Sequence, residues 1–162
     1  MQISLIRVWI SEKALARMVS DAGSFFPNET GGVLMGYRVA NEVVITDSVG
    51  GGPLAQRSPT RFLPDHSYQT RAIEEIYDSS AGGRSYLGDW HTHPRGRLAL
   101  SPTDVMTLRR IARHRDARVA SPKMRYLGIF LRISVSESES KGRRACFDML
   151  SISERRVKKF RV

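Results

Sequence analysis

The stretch "WHTHP" (Trp90–Pro94) constrains the fold more than any other part of the sequence, because it sets the direction of two side chains and the end of a strand. We predict a strand over Ser85–His93, which the following proline ends. Side chains two residues apart on a strand point to the same face. His91 and His93 therefore project side by side, whereas Thr92 and Trp90 point the other way, and Trp90 is expected in the core. Taken alone, the pair fits two surface histidines as well as it fits two metal ligands.

Further strands and helices surround this strand. Apolar and β-branched runs predict strands, and apolar residues at helical spacing predict helices. Strands are expected at 4–10, 30–39, 41–49, 124–135 and 143–152, and helices from Ser11 to about Phe25, from Pro64–Asp65 to about residue 80, and from Pro102 to about Arg115. The order indicates an α/β fold in which helices sandwich a mixed β-sheet.

No linker divides the chain, so residues 1–162 are expected to form a single domain with a basic tail at about 152–162. The last strand is expected to end where that tail begins. Gly50–Arg61, which is rich in turn-forming residues, is expected to be a mobile loop.

The composition is that of an ordinary soluble domain, with 41% apolar and 26% charged residues among 162. A single cysteine, Cys146, excludes an intrachain disulfide and a Cys-rich zinc cluster, which favours a reducing compartment. The N-terminus lacks the pattern of a signal peptide. No apolar run approaches the ~18 residues of a membrane span. We expect a cytoplasmic protein without membrane contact.

The net charge of +10 is the strongest bulk feature. Basic residues concentrate between Arg109 and Arg118 and in the C-terminal "ERRVKKFRV". Such a surface attracts polyanions, including nucleic acid. A solvated basic face that aids solubility or docks an acidic protein explains it equally well. Because no nucleic-acid-binding motif accompanies the charge, we favour the second explanation and keep a nucleic-acid-binding protein as the alternative of a different class.

A second motif, "SPTD" (Ser101–Asp104), follows the histidine pair. It fits a helix start, with Ser at the N-cap, Pro at the first helical position and an acid at the third. Asp104 in a first helical turn can instead face back onto the strand end. His91, His93 and Asp104 would then offer two nitrogen ligands and one oxygen ligand. A catalytic zinc takes three protein ligands at ~2.0–2.2 Å and leaves its fourth position open.

A hydrolytic zinc site also needs a general base, a carboxylate that activates water without binding the metal. Glu29 is the candidate, because it lies where the turn at Pro27 leads into the strand "ETGGVLMG". A solvated loop carboxylate is the alternative explanation for this residue.

Together these residues resemble the JAMM motif of the JAB1/MPN/Mov34 metalloproteases. The motif has a Glu, then His-x-His-Pro, and then Ser-x-x-Asp, with seven residues between the second His and the Ser. The matching positions are Glu29, "HTHP" at 91–94 and "SPTD" at 101–104. "ETGGVLMG" is similar to the family's E-x-x-G-x-L-x-G strand. The opening "VWISEKAL" further resembles prokaryotic JAB proteins, in particular the deconjugating proteases of type II CBASS antiphage operons.

The resemblance implies a cytidine-deaminase-like JAMM/MPN fold and a Zn²⁺ isopeptidase. It implies that His91, His93 and Asp104 bind zinc. Glu29 would take a proton from the attacking water and pass it to the leaving amine. Ser101 would donate a hydrogen bond to the oxyanion of the tetrahedral intermediate.

The resemblance also implies a deubiquitinase-like substrate, an extended C-terminal tail cut after its glycine. The tail would belong to a ubiquitin-like protein or, in the CBASS setting, to a nucleotidyltransferase that an E1/E2-like ligase has joined to other proteins. The loops Gly50–Arg61 and Arg95–Leu100 are candidates for clasping the tail. A zinc peptidase that matures a sulfur-carrier protein is the alternative enzyme.

Overall fold

The computed structural model describes residues 7–40, 42–94, 106, 126–138, 142–153 and 156–161. Nine strands and two helices lie in this part of the chain. In chain order they are β1 Arg7–Ile10, α1 Glu12–Phe25, β2 Gly31–Val39, β3 Glu42–Val49, β4 Gln56–Ser58, β5 Arg61–Leu63, α2 His66–Ser79, β6 Ser85–Thr92, β7 Tyr126–Ser138, β8 Gly142–Ser153 and β9 Arg156–Arg161.

Seven of the strands form one mixed sheet in the order β1-β3-β2-β6-β7-β8-β9. The pairs β1/β3 and β6/β7 are parallel, and the other neighbours are antiparallel. β4 and β5 form a separate antiparallel hairpin. The predicted mixed sheet is confirmed, and β6, which carries the histidines, lies at its centre.

Helix α1 covers one face of the sheet. The Ser11 hydroxyl caps it by accepting from the Ala14 N–H at 3.2 Å. Ala14, Met18 and Ala22 recur every four residues and are fully or almost fully buried. They pack on a core cluster that includes Leu34, Val43, Ile45, Leu87 and Trp90. Trp90 therefore lies in the core, as its alternation with His91 predicts.

Helix α2 contacts β2, β3 and β6. Its N-cap is Asp65, which accepts from the Tyr68 N–H at 3.1 Å. Both helices of the described residues, α1 and α2, pack against the mixed sheet, in agreement with the predicted α/β class.

Two parts of the chain differ from the sequence prediction. Gly50–Arg61 is not a plain loop, because β4 lies within it and pairs with β5. The C-terminal tail is not an appendage, because β9 extends the sheet beyond β8. Neither segment has a clear apolar alternation, and each pairs through its backbone. Lysines on an outer strand such as β9 are a common guard against edge-to-edge aggregation.

The expected helix from Pro102 to Arg115 lies outside the described residues except for Met106, which is helical and exposed. In the described part of the chain, neither helix has the length and apolar character needed to cross a membrane.

Candidate functional site

Pairing between β2 and β6 brings Glu29 to the histidine pair. Gly31, the first residue of β2, lies opposite His91. One position further on, the Thr92 N–H donates to the Thr30 carbonyl at 2.8 Å. Glu29 comes directly before Thr30, so the strand register places it beside the end of β6.

The two imidazoles lie on one face of β6 in contact with each other. Their ring centroids are 4.3 Å apart, and the ring planes are tilted by 41°. The Nε2 atoms of His91 and His93 face one another directly. Thr92 and Trp90 are buried on the opposite face. The arrangement follows the two-residue period of the strand.

Glu29 is half-buried beside this pair. Its Oε1 atom lies 4.0 Å from Nδ1 of His93, and the two side chains are 17% and 13% exposed. The Glu29 N–H donates to the Ser58 carbonyl of β4 at 2.8 Å. The hairpin therefore fixes the backbone that carries the carboxylate.

The histidine pair fits a metal ion. Two Nε2 lone pairs that face each other repel unless a proton or a cation lies between them, and neutral imidazole nitrogen is a preferred zinc ligand. Within the described ranges, no group of three or more His, Cys, Asp and Glu side chains forms a metal cluster. Asp104, the expected third ligand, and Ser101 lie outside those ranges. The pair thus contains two of the three residues that the motif implies as metal ligands.

Gly31 allows the close approach that brings the strands together here. A Cβ atom at this position would lie 2.4 Å from the Trp90 carbonyl oxygen, 2.8 Å from Cβ of His91 and 3.0 Å from the Phe62 ring. Any side chain would push β2 away from β6. The separation of Glu29 from the histidines depends on this glycine.

Asp89 is a candidate site residue that the sequence analysis missed. It precedes His91 by two residues and shares its face. The Tyr86 hydroxyl donates to Asp89 Oδ2 at 2.8 Å. Burial raises the pKa of Asp89 to about 6, although the Tyr86 hydrogen bond and the charge of His66 act to lower it. The spacing Asp-x-His-x-His was the available signal, whereas the contact with Tyr86 depends on a register shift opposite Leu34 and Met35.

Comparisons with known proteins agree with the motif. Residues 11–144 match the Prok-JAB family, described as prokaryotic homologs of the JAB domain. The chain is 40% identical over 119 residues to the probable metalloprotease y4qB of Sinorhizobium fredii, which covers 72% of this chain and 73% of that protein.

Two further relatives are named CD-NTase/cGAS isopeptidases. The Vibrio cholerae protein is 39% identical over 84 residues, covering 51% of this chain and 53% of its own, so the match spans about half of that relative. The Enterobacter hormaechei protein is 28% identical over 134 residues, covering 77% and 69%. The solution structure of protein DSY2949 from Desulfitobacterium hafniense shares the fold, with a TM-score of 0.63 at 21% identity over 95% of this chain and 90% of that one.

The sheet, the strand-end histidines and these relatives define a JAMM-type metalloprotease. Within that class, the chain belongs to the Prok-JAB family of prokaryotic JAB-domain homologs.

Proposed function

We propose that this peptidase is a zinc-dependent isopeptidase that releases a nucleotidyltransferase, or a ubiquitin-like protein, from proteins to which its C-terminal glycine has been joined. One observation carries the proposal: the Nε2 atoms of His91 and His93 face each other at the end of β6, and the Glu29 carboxylate lies beside the same pair, 4.0 Å from Nδ1 of His93.

His91, His93 and Asp104 would hold the zinc. When bound, the ion supplies a Lewis acid beside the scissile carbonyl group. The choice of zinc follows from two imidazoles and one carboxylate, a ligand set used by hydrolytic zinc enzymes.

Side chains of this protein would move the proton of the attacking water and stabilise the negative charge on the carbonyl oxygen. The Glu29 carboxylate accepts a proton from the attacking water as the water oxygen bonds to the carbonyl carbon. The Ser101 hydroxyl donates to the oxygen that gains negative charge. The C–N bond then breaks, and Glu29 returns the proton to the departing amine.

The substrate proposal follows from the relatives' names and from the position of the hairpin. The Vibrio and Enterobacter relatives are named for a CD-NTase/cGAS substrate. β4 contacts the Glu29 backbone through Ser58, so Gly50–Arg61 lies beside the catalytic residue. An extended tail can bind such a strand by backbone hydrogen bonds. We propose that this segment and Arg95–Leu100 clasp the tail, that an E1/E2-like ligase makes the conjugate, and that the protein acts in the cytoplasm in antiphage defence.

The test is cleavage of a purified conjugate between a nucleotidyltransferase C-terminus and a target lysine. The protein is incubated with it with and without a chelator, and the products are weighed by mass spectrometry. We expect release of the intact nucleotidyltransferase with a free C-terminal glycine, abolished by the chelator and restored by Zn²⁺. No cleavage, or cleavage that the chelator does not affect, would overturn the proposal.

A further inference from the structure

Thr30 and Thr92 form an unusual contact behind the site. The Thr30 N–H donates to Oγ1 of Thr92 at 2.9 Å, and this hydroxyl donates to the Thr30 carbonyl at 3.3 Å. The Thr92 N–H donates to the same carbonyl at 2.8 Å. The two residues are 0% and 1% exposed, so water does not compete for these bonds. We refer to Thr30 and Thr92 as the threonine clamp.

The clamp lies one position beyond the last ladder pair of β2 and β6, Gly31 and His91. In a regular antiparallel pair, the Thr30 N–H would donate to the Thr92 carbonyl. Here the Thr30 N–H donates to the Thr92 hydroxyl oxygen instead of the Thr92 carbonyl oxygen. Pairing thus continues past the end of the ladder although the chain leaves the strand at His93.

Arg57 holds the clamp from the hairpin side. Its Nε donates to Oγ1 of Thr30 at 3.2 Å, and Nη1 donates to the Ala55 carbonyl at 3.2 Å. The guanidinium lies over the Phe25 ring, 3.8 Å from its centroid. The planar guanidinium, stacked on the Phe25 ring, fixes the direction of its Nε–H donor. A lysine at this position could not reproduce that geometry.

We propose that Thr92 and Arg57 are positioning residues, which act through Thr30 to hold Glu29 at a fixed place relative to the histidine pair. Thr30 is bonded directly to Glu29 in the chain, and Thr92 lies between His91 and His93. This inference rests on the proposed function, in which Glu29 moves the proton. Catalysis is sensitive to such placement, because a shift of about 1 Å can lower a rate about a hundredfold.

The test compares Thr92→Val, which removes the hydroxyl but keeps the shape, with Thr92→Ser, which keeps the hydroxyl. Ser48→Ala is the matched control, since Ser48 Oγ donates to the Ala14 carbonyl at 3.3 Å on the α1 side of the sheet. Conjugate cleavage is measured well below each melting temperature, together with zinc content. We expect Thr92→Val to lower kcat at least about tenfold with KM and zinc content unchanged. Thr92→Ser should recover most of kcat, and Ser48→Ala should have the wild-type kcat even if its melting temperature is lower.

A purely structural role predicts a different result. Thr92→Val would then lower the melting temperature as Ser48→Ala does and leave kcat at the wild-type value, which would overturn the inference. Failure of Thr92→Ser to recover kcat would also overturn it. If Thr92→Val does not fold, Arg57→Lys provides the test, with the same expected loss in kcat at constant KM. A wild-type protein that cleaves no conjugate overturns the proposed function itself, whereas an active wild type with equally active variants overturns this inference alone.

Discussion

Oε1 of Glu29 lies 4.0 Å from Nδ1 of His93, whereas Nε2 of that ring faces His91. The carboxylate therefore stands beside the histidine pair on the side away from the point where the two Nε2 atoms meet. At 4.0 Å the contact is longer than a hydrogen bond. A general base must also reach the attacking water, whereas a carboxylate on the Nδ1 side can instead orient the ring, and Glu29→Gln separates the two roles.

Loss of either predicted ligand should remove the metal. The purified protein is expected to hold about one Zn²⁺ per chain, and His91→Ala or Asp104→Ala should lose most of it, because a catalytic zinc needs about three protein ligands. Metal analysis after gel filtration measures this. His66→Ala, at the exposed start of α2, is the control and should retain the metal. Full zinc content in either ligand variant would disprove that assignment.

Ser101 is expected to act as the oxyanion donor. Ser101→Ala should lower kcat by about 10²–10³, since that is the effect of losing one such donor. Loss of a helix cap would instead cost about 1 kcal/mol of stability. Ser101→Asn separates the two roles, because Asn can cap a helix. A Ser101→Asn protein with wild-type stability and wild-type rate would exclude the catalytic role.

Gly31→Ala should damage both the fold and the site. The added Cβ would lie 2.4 Å from the Trp90 carbonyl oxygen, so β2 and β6 must separate. We expect a loss of about 1–3 kcal/mol in the free energy of unfolding, together with reduced cleavage, measured by urea unfolding and the conjugate assay. Unchanged stability and rate would show that the two strands can separate without cost.

Asp47 should make the stability depend on pH. Burial alone would raise its pKa, but hydrogen bonds from Lys13, Arg84 and Thr46 hold it below its ordinary value. A carboxylate with a lowered folded pKa stabilises the protein fully above its unfolded pKa of about 4, and this contribution is lost as the pH falls through the folded pKa.

Asp47→Asn tests this dependence. The variant should lose about 1–3 kcal/mol at pH 7, mostly through Arg84, because Lys13 is 81% exposed and its ion pair is screened. The difference from the wild type should shrink below about pH 4. Urea unfolding of the variant and the wild type at pH 7 and at pH 3 measures the difference in the free energy of unfolding at each pH. A difference that is constant with pH would contradict the assignment.

The sequence predicted the parts of the fold that follow from local patterns. The two-residue alternation of side chains along β6 was sufficient to place His91 and His93 on one face and Trp90 in the core. Ser11 correctly marked the start of α1. β4 and β9 were missed because backbone pairing, rather than an apolar alternation, forms them. The threonine clamp was not predictable either, since the contact of Thr92 with Thr30 depends on how two distant strands are aligned.

The most direct test of the account uses Glu29→Gln, in which zinc content and conjugate cleavage are measured on the same preparation. Glutamine keeps the shape and can hydrogen-bond to water, but it cannot accept the proton. Glu74→Gln, on the exposed surface of α2, is the matched control.

The account predicts that Glu29→Gln folds, retains its zinc and cleaves the conjugate at least about a hundredfold more slowly, while Glu74→Gln cleaves it at the wild-type rate. If Glu29 only orients His93, the side-chain oxygen of glutamine can still accept a hydrogen bond from the His93 ring, and cleavage stays near normal. A near-normal rate in Glu29→Gln, or loss of its zinc, would contradict the assignment of Glu29 as the general base.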